Sequence, residues 1–212
     1  MSKLLLVVDY GAGNIRSIEK LLLQVGGSDI LILDKPPTEN VRVDGVVLPG
    51  VGSFAFGMNS LKSSGFDLWL RTMALERRIP ILGICLGMHF LADRGSEGGT
   101  WVNGLGLVAG EVQKLMPVFE NERVPHMGWN SLQPVEDCSL LSGISSLADF
   151  YFAHSYHFVP YSDEHVMAIT NHCGGFVSVV QSANIFGVQF HPEKSSRPGR
   201  RLVENFLSIT RA

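Results

Sequence analysis

Ile79-Pro80-Ile81-Leu82-Gly83-Ile84-Cys85-Leu86-Gly87-Met88-His89-Phe90-Leu91-Ala92 reads as a buried strand running straight into a helix. The first half is a short apolar run of the kind found in strands covered on both faces, and the second half carries apolar residues at helical spacing. At 14 residues, interrupted by Pro80, two glycines and His89, the stretch is well short of the roughly 20 apolar residues that a membrane-spanning helix needs.

The same alternation extends outward from this segment. Leu4 to Val8 is an apolar run closed by Asp9, Gly11 and Gly13 mark a turn, and Ile15, Ile18, Leu22 and Val25 form one helical face ending at Gly26 and Gly27. Short apolar runs recur at Ile30 to Leu33 and Val46 to Leu48. Helical patterns lie between Phe54 and Arg78 and from Leu86 to Ala92. Strands alternating with helices predict an α/β fold built on a central, mostly parallel sheet flanked by helices. Beyond Gly98, strand-like runs at Val108 to Val118, Phe150 to Val159, Val166 to Thr170, Phe176 to Gln181 and Ile185 to Phe190 predict a strand-rich, partly antiparallel C-terminal half. Leu202, Phe206 and Ile209 pattern a closing helix.

A chain of 212 residues, 45% hydrophobic and 17% charged, is expected to form a single domain over residues 1–212 and excludes a disordered tail. Lys plus Arg number 17 against 20 Asp plus Glu, so the net charge of -3 supplies no basic footprint for nucleic acid. One Lys and five apolar residues precede Asp9, too few for a secretory signal, and the three cysteines form no Cys-x-x-Cys pair. A cytoplasmic, membrane-free protein is expected.

Gly83-Ile84-Cys85-Leu86-Gly87 sits where a nucleophile elbow belongs, at a strand-to-helix turn with small neighbours on both sides of the cysteine. Helix N–H groups aimed at the sulfur favour thiolate, although a buried cysteine packed between glycines has the same pattern. Among seven histidines, His191 has the best context for a base. Pro192 biases it toward an extended conformation, in which residues two apart face the same way, so His191 and Glu193 project together as a Cys-His-Glu triad requires, although an exposed His and Glu at a strand end have the same pattern.

His154-Ser155-Tyr156-His157 reads as a binding edge or as core histidines, because further ligands at metal spacing are missing nearby; no metal is expected. Leu48-Pro49-Gly50-Val51-Gly52-Ser53 is either an ordinary glycine-rich turn or a loop whose N–H groups face a developing oxyanion. Asp9-Tyr10-Gly11-Ala12-Gly13-Asn14 lacks the third glycine of a dinucleotide fingerprint.

Together, the cysteine elbow, His191-Pro192-Glu193 and the Pro-Gly-Val-Gly loop are similar to the class I glutamine amidotransferases over essentially the whole chain. The resemblance implies a flavodoxin-like fold and a glutaminase without cofactor. Cys85 would attack the side-chain amide of L-glutamine, His191 would shuttle the proton and Glu193 would orient His191. It further implies that Gly52, Glu97, His154, Ser155 and Tyr156 hold glutamine and that Val51 and Leu86 supply oxyanion-hole N–H groups.

Within that class, Asp9 to Asn14, Pro49 to Phe54, Pro125-His126-Met127-Gly128-Trp129-Asn130, Tyr151 to Tyr156 and Gly187 to Ser195 resemble the glutaminase subunits of imidazole glycerol phosphate synthases. That resemblance implies a heterodimer in which ammonia passes to a separate TIM-barrel cyclase subunit in histidine biosynthesis. His89 stands where the class usually has glutamine, four residues after the nucleophile. It is expected either to contact the substrate and, being chargeable near neutral pH, to make glutamine binding pH-dependent, or to be buried and neutral and only pack beside the elbow. Asn171-His172-Cys173-Gly174-Gly175 departs from the tyrosine and glycine more often found there. Two alternatives stay open: a paralogous amidotransferase serving bacterial surface-sugar synthesis, and a catalytically silent scaffold that activates a partner.

Overall fold

In chain order, β1 (Lys3–Val8) leads through helix α1 (Ile15–Val25) to β2 (Ser28–Leu33). Next, β3 (Gly45–Gly50) leads through α2 (Phe54–Ser64) and α3 (Phe66–Arg71) to β4 (Ile81–Cys85), which turns directly into α4 (Leu86–Phe90). The strand-rich half comprises β5 (Arg94–Gly95), β6 (Val102–Asn103), β7 (Gly110–Lys114), β8 (His126–Ser131), β9 (Gln133–Pro134), β10 (Asp149–His154), β11 (Tyr156–Pro160), β12 (Val166–Thr170), β13 (Phe176–Ser182) and β14 (Ile185–Val188). Helix α5 (Ser196–Ile209) closes the chain. This computed structural model describes residues 3–26, 28–38 and 41–210, so Gly27, expected at the end of the first helix, lies outside the described residues.

Eight strands join one sheet in the order β2-β1-β3-β4-β14-β13-β12-β9. Neighbours from β2 to β14 are parallel, and β13, β12 and β9 extend that sheet antiparallel. Every residue of β3 and β4 is buried, as expected for strands with helices on both faces. The two-residue side-chain period sorts β1 between two cores. Leu5 and Val7 pack with Ile18, Leu22, Leu202 and Phe206 beneath α1 and α5, while Leu6 and Val8 pack with Phe54, Met58, Leu61 and Phe66 beneath α2 and α3. Each such side chain, taken fully out of water, contributes about 1.5–3 kcal/mol.

Two expected elements divide. The helical pattern from Phe54 to Arg78 breaks at Gly65, whose left-handed backbone (φ 84°) ends α2, and after α3 it relaxes into a π turn at Thr72–Glu76. The aromatic run from Phe150 to Val159 changes sheets at Ser155. There β10 pairs with β8, whereas β11 pairs with β7 in a four-stranded sheet ordered β11-β7-β5-β6. Among the described residues, no helix is long and apolar enough to cross a membrane.

Candidate active site

The sheet brings three strand ends together, because Gly50 is the register partner of Cys85 and Val188 that of Ile84. Such a crevice at the carboxyl ends of parallel strands is where open α/β sheets bind ligands. A cavity of about 460 Å³ opens there. Of the eleven residues singled out in the sequence, ten line it: Cys85, His191, Val51, Leu86, Gly52, His89, Glu97, His154, Ser155 and Tyr156. Glu193, the eleventh, is buried behind His191.

Cys85 occupies a forbidding backbone conformation for a residue with a β-carbon, φ 54° and ψ −110°. Its glycine neighbours make the turn possible. A β-carbon on Gly83 would lie 2.6 Å from the Gly87 carbonyl oxygen, and one on Gly87 would lie 1.8 Å from that of Leu48. The helix behind the sulfur is short, only the five residues of α4, so its dipole contributes less than a long helix would.

His191 Nδ1 lies 2.9 Å from Glu193 Oε1, and Asn14 Nδ2 donates to the same oxygen at 3.4 Å from the first strand-helix loop. Burial alone would lower the His191 pKa. Hydrogen bonds to Cys85 and Glu193, reinforced by the charges of both, outweigh it and push the pKa up to about 10. Imidazole, thiol and carboxylate thus form one coupled unit. The meeting of His191 and Glu193 was anticipated, but its cause differs. Residues Pro192–Lys194 form a 3-10 turn capped by an extended His191, so a tight turn and not an extended segment pairs the two side chains. Ser195 pins that turn, its Oγ donating to the His191 carbonyl at 2.6 Å and accepting from the Tyr151 N–H at 3.0 Å.

His89 lines the cavity, but its Nε2 is committed to Gln189 Oε1 at 2.7 Å. An amide oxygen only accepts, so Nε2 carries the proton. The amide nitrogen of Gln189 then faces Cys85 Sγ at 3.9 Å. Burial pulls the His89 pKa down to about 4, overcoming the raising effect of Gln189. Of the two expectations for His89, desolvation therefore favours the buried, neutral ring over one chargeable near neutral pH.

His154 also has both ring nitrogens in use. Its Nδ1 donates to the Tyr156 carbonyl at 2.8 Å, so its Nε2 accepts from His126 Nδ1 at 3.1 Å, and His126 Nε2 in turn faces Asn130 Nδ2 at 3.4 Å. Burial lowers the pKa of His126 to about 4 and that of His154 well below its ordinary value, so both rings are neutral. Glu97 accepts a short hydrogen bond from the Phe54 N–H, at the start of α2. The Val51 N–H interacts with the buried Tyr10 hydroxyl, which lacks a well-formed hydrogen bond.

Sequence reasoning missed Gln189, Ser195, Tyr10 and Lys194. Lys194 also lines the cavity and holds its ammonium 5.2 Å from the Tyr151 ring centre. The arrangement offers a thiol and an imidazole lining one cavity and a carboxylate orienting that imidazole. These are the requirements of acyl transfer through a thioester.

The chain belongs to the class I glutamine amidotransferases: the matching family description, Glutamine amidotransferase class-I, covers residues 6–209. Among curated relatives, it is 42% identical over 203 residues to imidazole glycerol phosphate synthase subunit HisH 1 of Campylobacter jejuni (strain RM1221), across 96% of this chain and 98% of that one. It is 43% identical over 205 residues to subunit HisH of Moorella thermoacetica, across 97% and 94%. It is 39% identical over 203 residues to subunit HisH of Methanocaldococcus jannaschii, across 96% and 98%. Two solved structures share the fold at low identity. One is a glutamine amidotransferase (TM-score 0.75, 18% identity, 98% and 99% coverage) and the other PurLQS from Thermotoga maritima (TM-score 0.73, 20% identity, 99% of each chain).

Proposed function

We propose that this chain is the glutaminase subunit of an imidazole glycerol phosphate synthase, acting in the cytoplasm as one domain and passing ammonia to a separate TIM-barrel cyclase subunit in histidine biosynthesis. The observation that carries the reading is Cys85 on its strained elbow, sharing one cavity with His191, which is paired with Glu193. The HisH names of relatives at 39–43% identity favour histidine biosynthesis over surface-sugar synthesis. The intact Cys-His-Glu arrangement argues against a silent scaffold.

In this mechanism the Cys85 sulfur attacks the carboxamide carbon of glutamine while His191 takes the thiol proton. The N–H groups of Val51 and Leu86 receive the developing oxyanion. Collapse of the tetrahedral intermediate breaks the C–N bond, and His191 returns its proton to the leaving nitrogen, releasing ammonia. Water, deprotonated by His191, then hydrolyses the thioester, releasing glutamate and restoring the thiol. Glu193 holds the imidazolium, and Gly52, Glu97, His154, Ser155 and Tyr156 shape the glutamine subsite. The Val51 N–H, now beside the Tyr10 hydroxyl, would turn toward the oxyanion. Gly52, at φ 98°, gives that loop the conformational freedom to turn when the cyclase engages.

Exposed Met127 and Trp129 beside the cavity, 65% and 54% accessible, provide an apolar surface for the partner. The test uses the assembled synthase. Cys85→Ser and His191→Ala should abolish glutamine-dependent synthesis while leaving ammonia-dependent synthesis intact, and equal loss of both activities in an assembled complex would overturn the assignment.

A further inference from the structure

Away from the cavity, one ring nitrogen of His172, the Cys173 sulfur and a Glu122 carboxylate oxygen lie within 4.8 Å of one another. We propose that these three side chains form a binding site for a soft divalent cation, best matched by zinc, which ties the 116–124 segment to the turn that follows β12.

The donor set carries the choice of metal. Thiolate, imidazole and carboxylate together suit zinc, whereas calcium and magnesium prefer oxygen-rich sites. Zinc bonds of about 2.0–2.3 Å in tetrahedral geometry put ligand atoms about 3.5 Å apart, so closing around the ion requires side-chain movements on the order of 1 Å at most. Three protein ligands leave the fourth position to water.

The surroundings already orient each ligand. His172 Nε2 donates to the Arg123 carbonyl at 3.0 Å, which fixes the tautomer and leaves the Nδ1 lone pair as the ligand. Donation of the second ring N–H to a backbone carbonyl is the usual support for a metal-bound histidine. The His172 ring is further held by stacking on His126, centroids 4.1 Å apart and planes inclined by 21°. The Glu122 carboxylate accepts from the N–H groups of Val118 (2.8 Å) and Phe119 (3.0 Å) at Oε2 and of Cys173 (2.6 Å) at Oε1, which aim it and leave one lone pair free on Oε1. Cys173 keeps a side chain at φ 51°, a conformation that its successors Gly174 and Gly175 adopt without strain. Glu122 and His172 are only part-buried, so an ion has access. On binding, the Cys173 S–H bond breaks, its proton passes to solvent and the sulfur lone pair forms the bond to the metal. Glu122 stands 51 residues from Cys173, so no short ligand motif announces the site in the sequence.

The experiment uses the full chain with Cys85→Ser, removing the other thiol that a soft metal would find beside an imidazole. After dialysis against a chelator, one equivalent of cobalt(II) should produce a thiolate-to-cobalt charge-transfer band that zinc abolishes by displacement. Adding Cys173→Ser should eliminate the band and Cys138→Ser should leave it, while His172→Ala should weaken zinc binding at least tenfold. Zinc should also raise the melting temperature of the Cys85→Ser chain but not that of Cys85→Ser with Cys173→Ser. The proposal fails if the Cys85→Ser chain gives no band, if the band survives Cys173→Ser, or if binding saturates only in large metal excess, which would mark an adventitious ion only.

Discussion

His89 donates a 2.7 Å hydrogen bond to Gln189, and Gln189 turns its amide nitrogen toward the Cys85 sulfur. The residue that differs from the usual glutamine of the class is therefore part of the nucleophile's support and is neutral. Because its pKa is lowered to about 4 by burial, it does not titrate between pH 6 and 8.5. A glutamine in its place supplies the same donor. Michaelis-constant profiles of wild type and His89→Gln over that range should superimpose, and a wild-type profile with an inflection near pH 6.5 that the variant lacks would overturn the neutral-histidine reading.

Removing the middle of this relay has a different signature. Gln189→Leu leaves the buried His89 N–H without its acceptor, which costs about 1–3 kcal/mol of stability, and takes away a donor facing Cys85. Thermal unfolding should show the loss. The rate of Cys85 alkylation at a fixed pH should change, since the sulfur loses the amide that faces it. An unchanged alkylation rate would mean that the 3.9 Å contact has no influence on the sulfur.

His89 also makes the fold acid-sensitive, in a direction that follows from its lowered pKa. The unfolded chain binds a proton below about pH 6.5 and the folded chain only below about 4. Stability is therefore fully present above 6.5 and is lost as pH falls through the interval, by on the order of 2 kcal/mol at pH 5 from this ring alone. His126, His154 and His157 shift the same way through burial. Denaturant unfolding at pH 7.5 and 5 should show a smaller acid loss in His89→Gln than in wild type.

Much of this was legible because local patterns carry it. The β1 run Leu4 to Val8 and the helix face Ile15, Ile18, Leu22 and Val25 appear as their periods predict, within a residue or two at each end. Cys85 was legible because it ends a strand between two glycines, and His191 because Pro192 and Glu193 follow it just beyond another strand. The switch at Ser155 was not, since alternation along Phe150 to Val159 is the same whether one sheet or two receive it. Gln189 was equally silent: a single amide at the end of an apolar strand says nothing until Cys85 and His89 are placed around it.

The His191 ring should report the thiol directly. Burial would lower its pKa, and four contributions from Cys85 and Glu193 raise it to about 10. A raised pKa means that the charged ring stabilises the folded chain, fully so below pH 6.5, with the benefit lost as pH rises through about 10. Cys85→Ser removes both thiol contributions and leaves Glu193 to oppose burial. An imidazole NMR titration should therefore find a lower His191 pKa in Cys85→Ser. A value unchanged from wild type would show that the thiol and the ring are not coupled.

Gly199 sets helix propensity against packing. In the interior of α5, glycine to alanine ordinarily stabilises by about 0.5–1 kcal/mol. Here the added β-carbon would lie 2.0 Å from the Pro192 carbonyl oxygen and 2.8 Å from its carbon, both backbone atoms of the turn that pairs His191 with Glu193. Neither atom belongs to a flexible side chain, so the turn itself must move. Overpacking of this kind costs about 1–3 kcal/mol and reverses the expected sign. Gly199→Ala should melt at a lower temperature than wild type and lower the turnover of glutamine, with ammonia-dependent synthesis by the complex preserved. A variant that is more stable and equally active would show that α5 shifts away from the turn, and that the position of His191 does not depend on this contact.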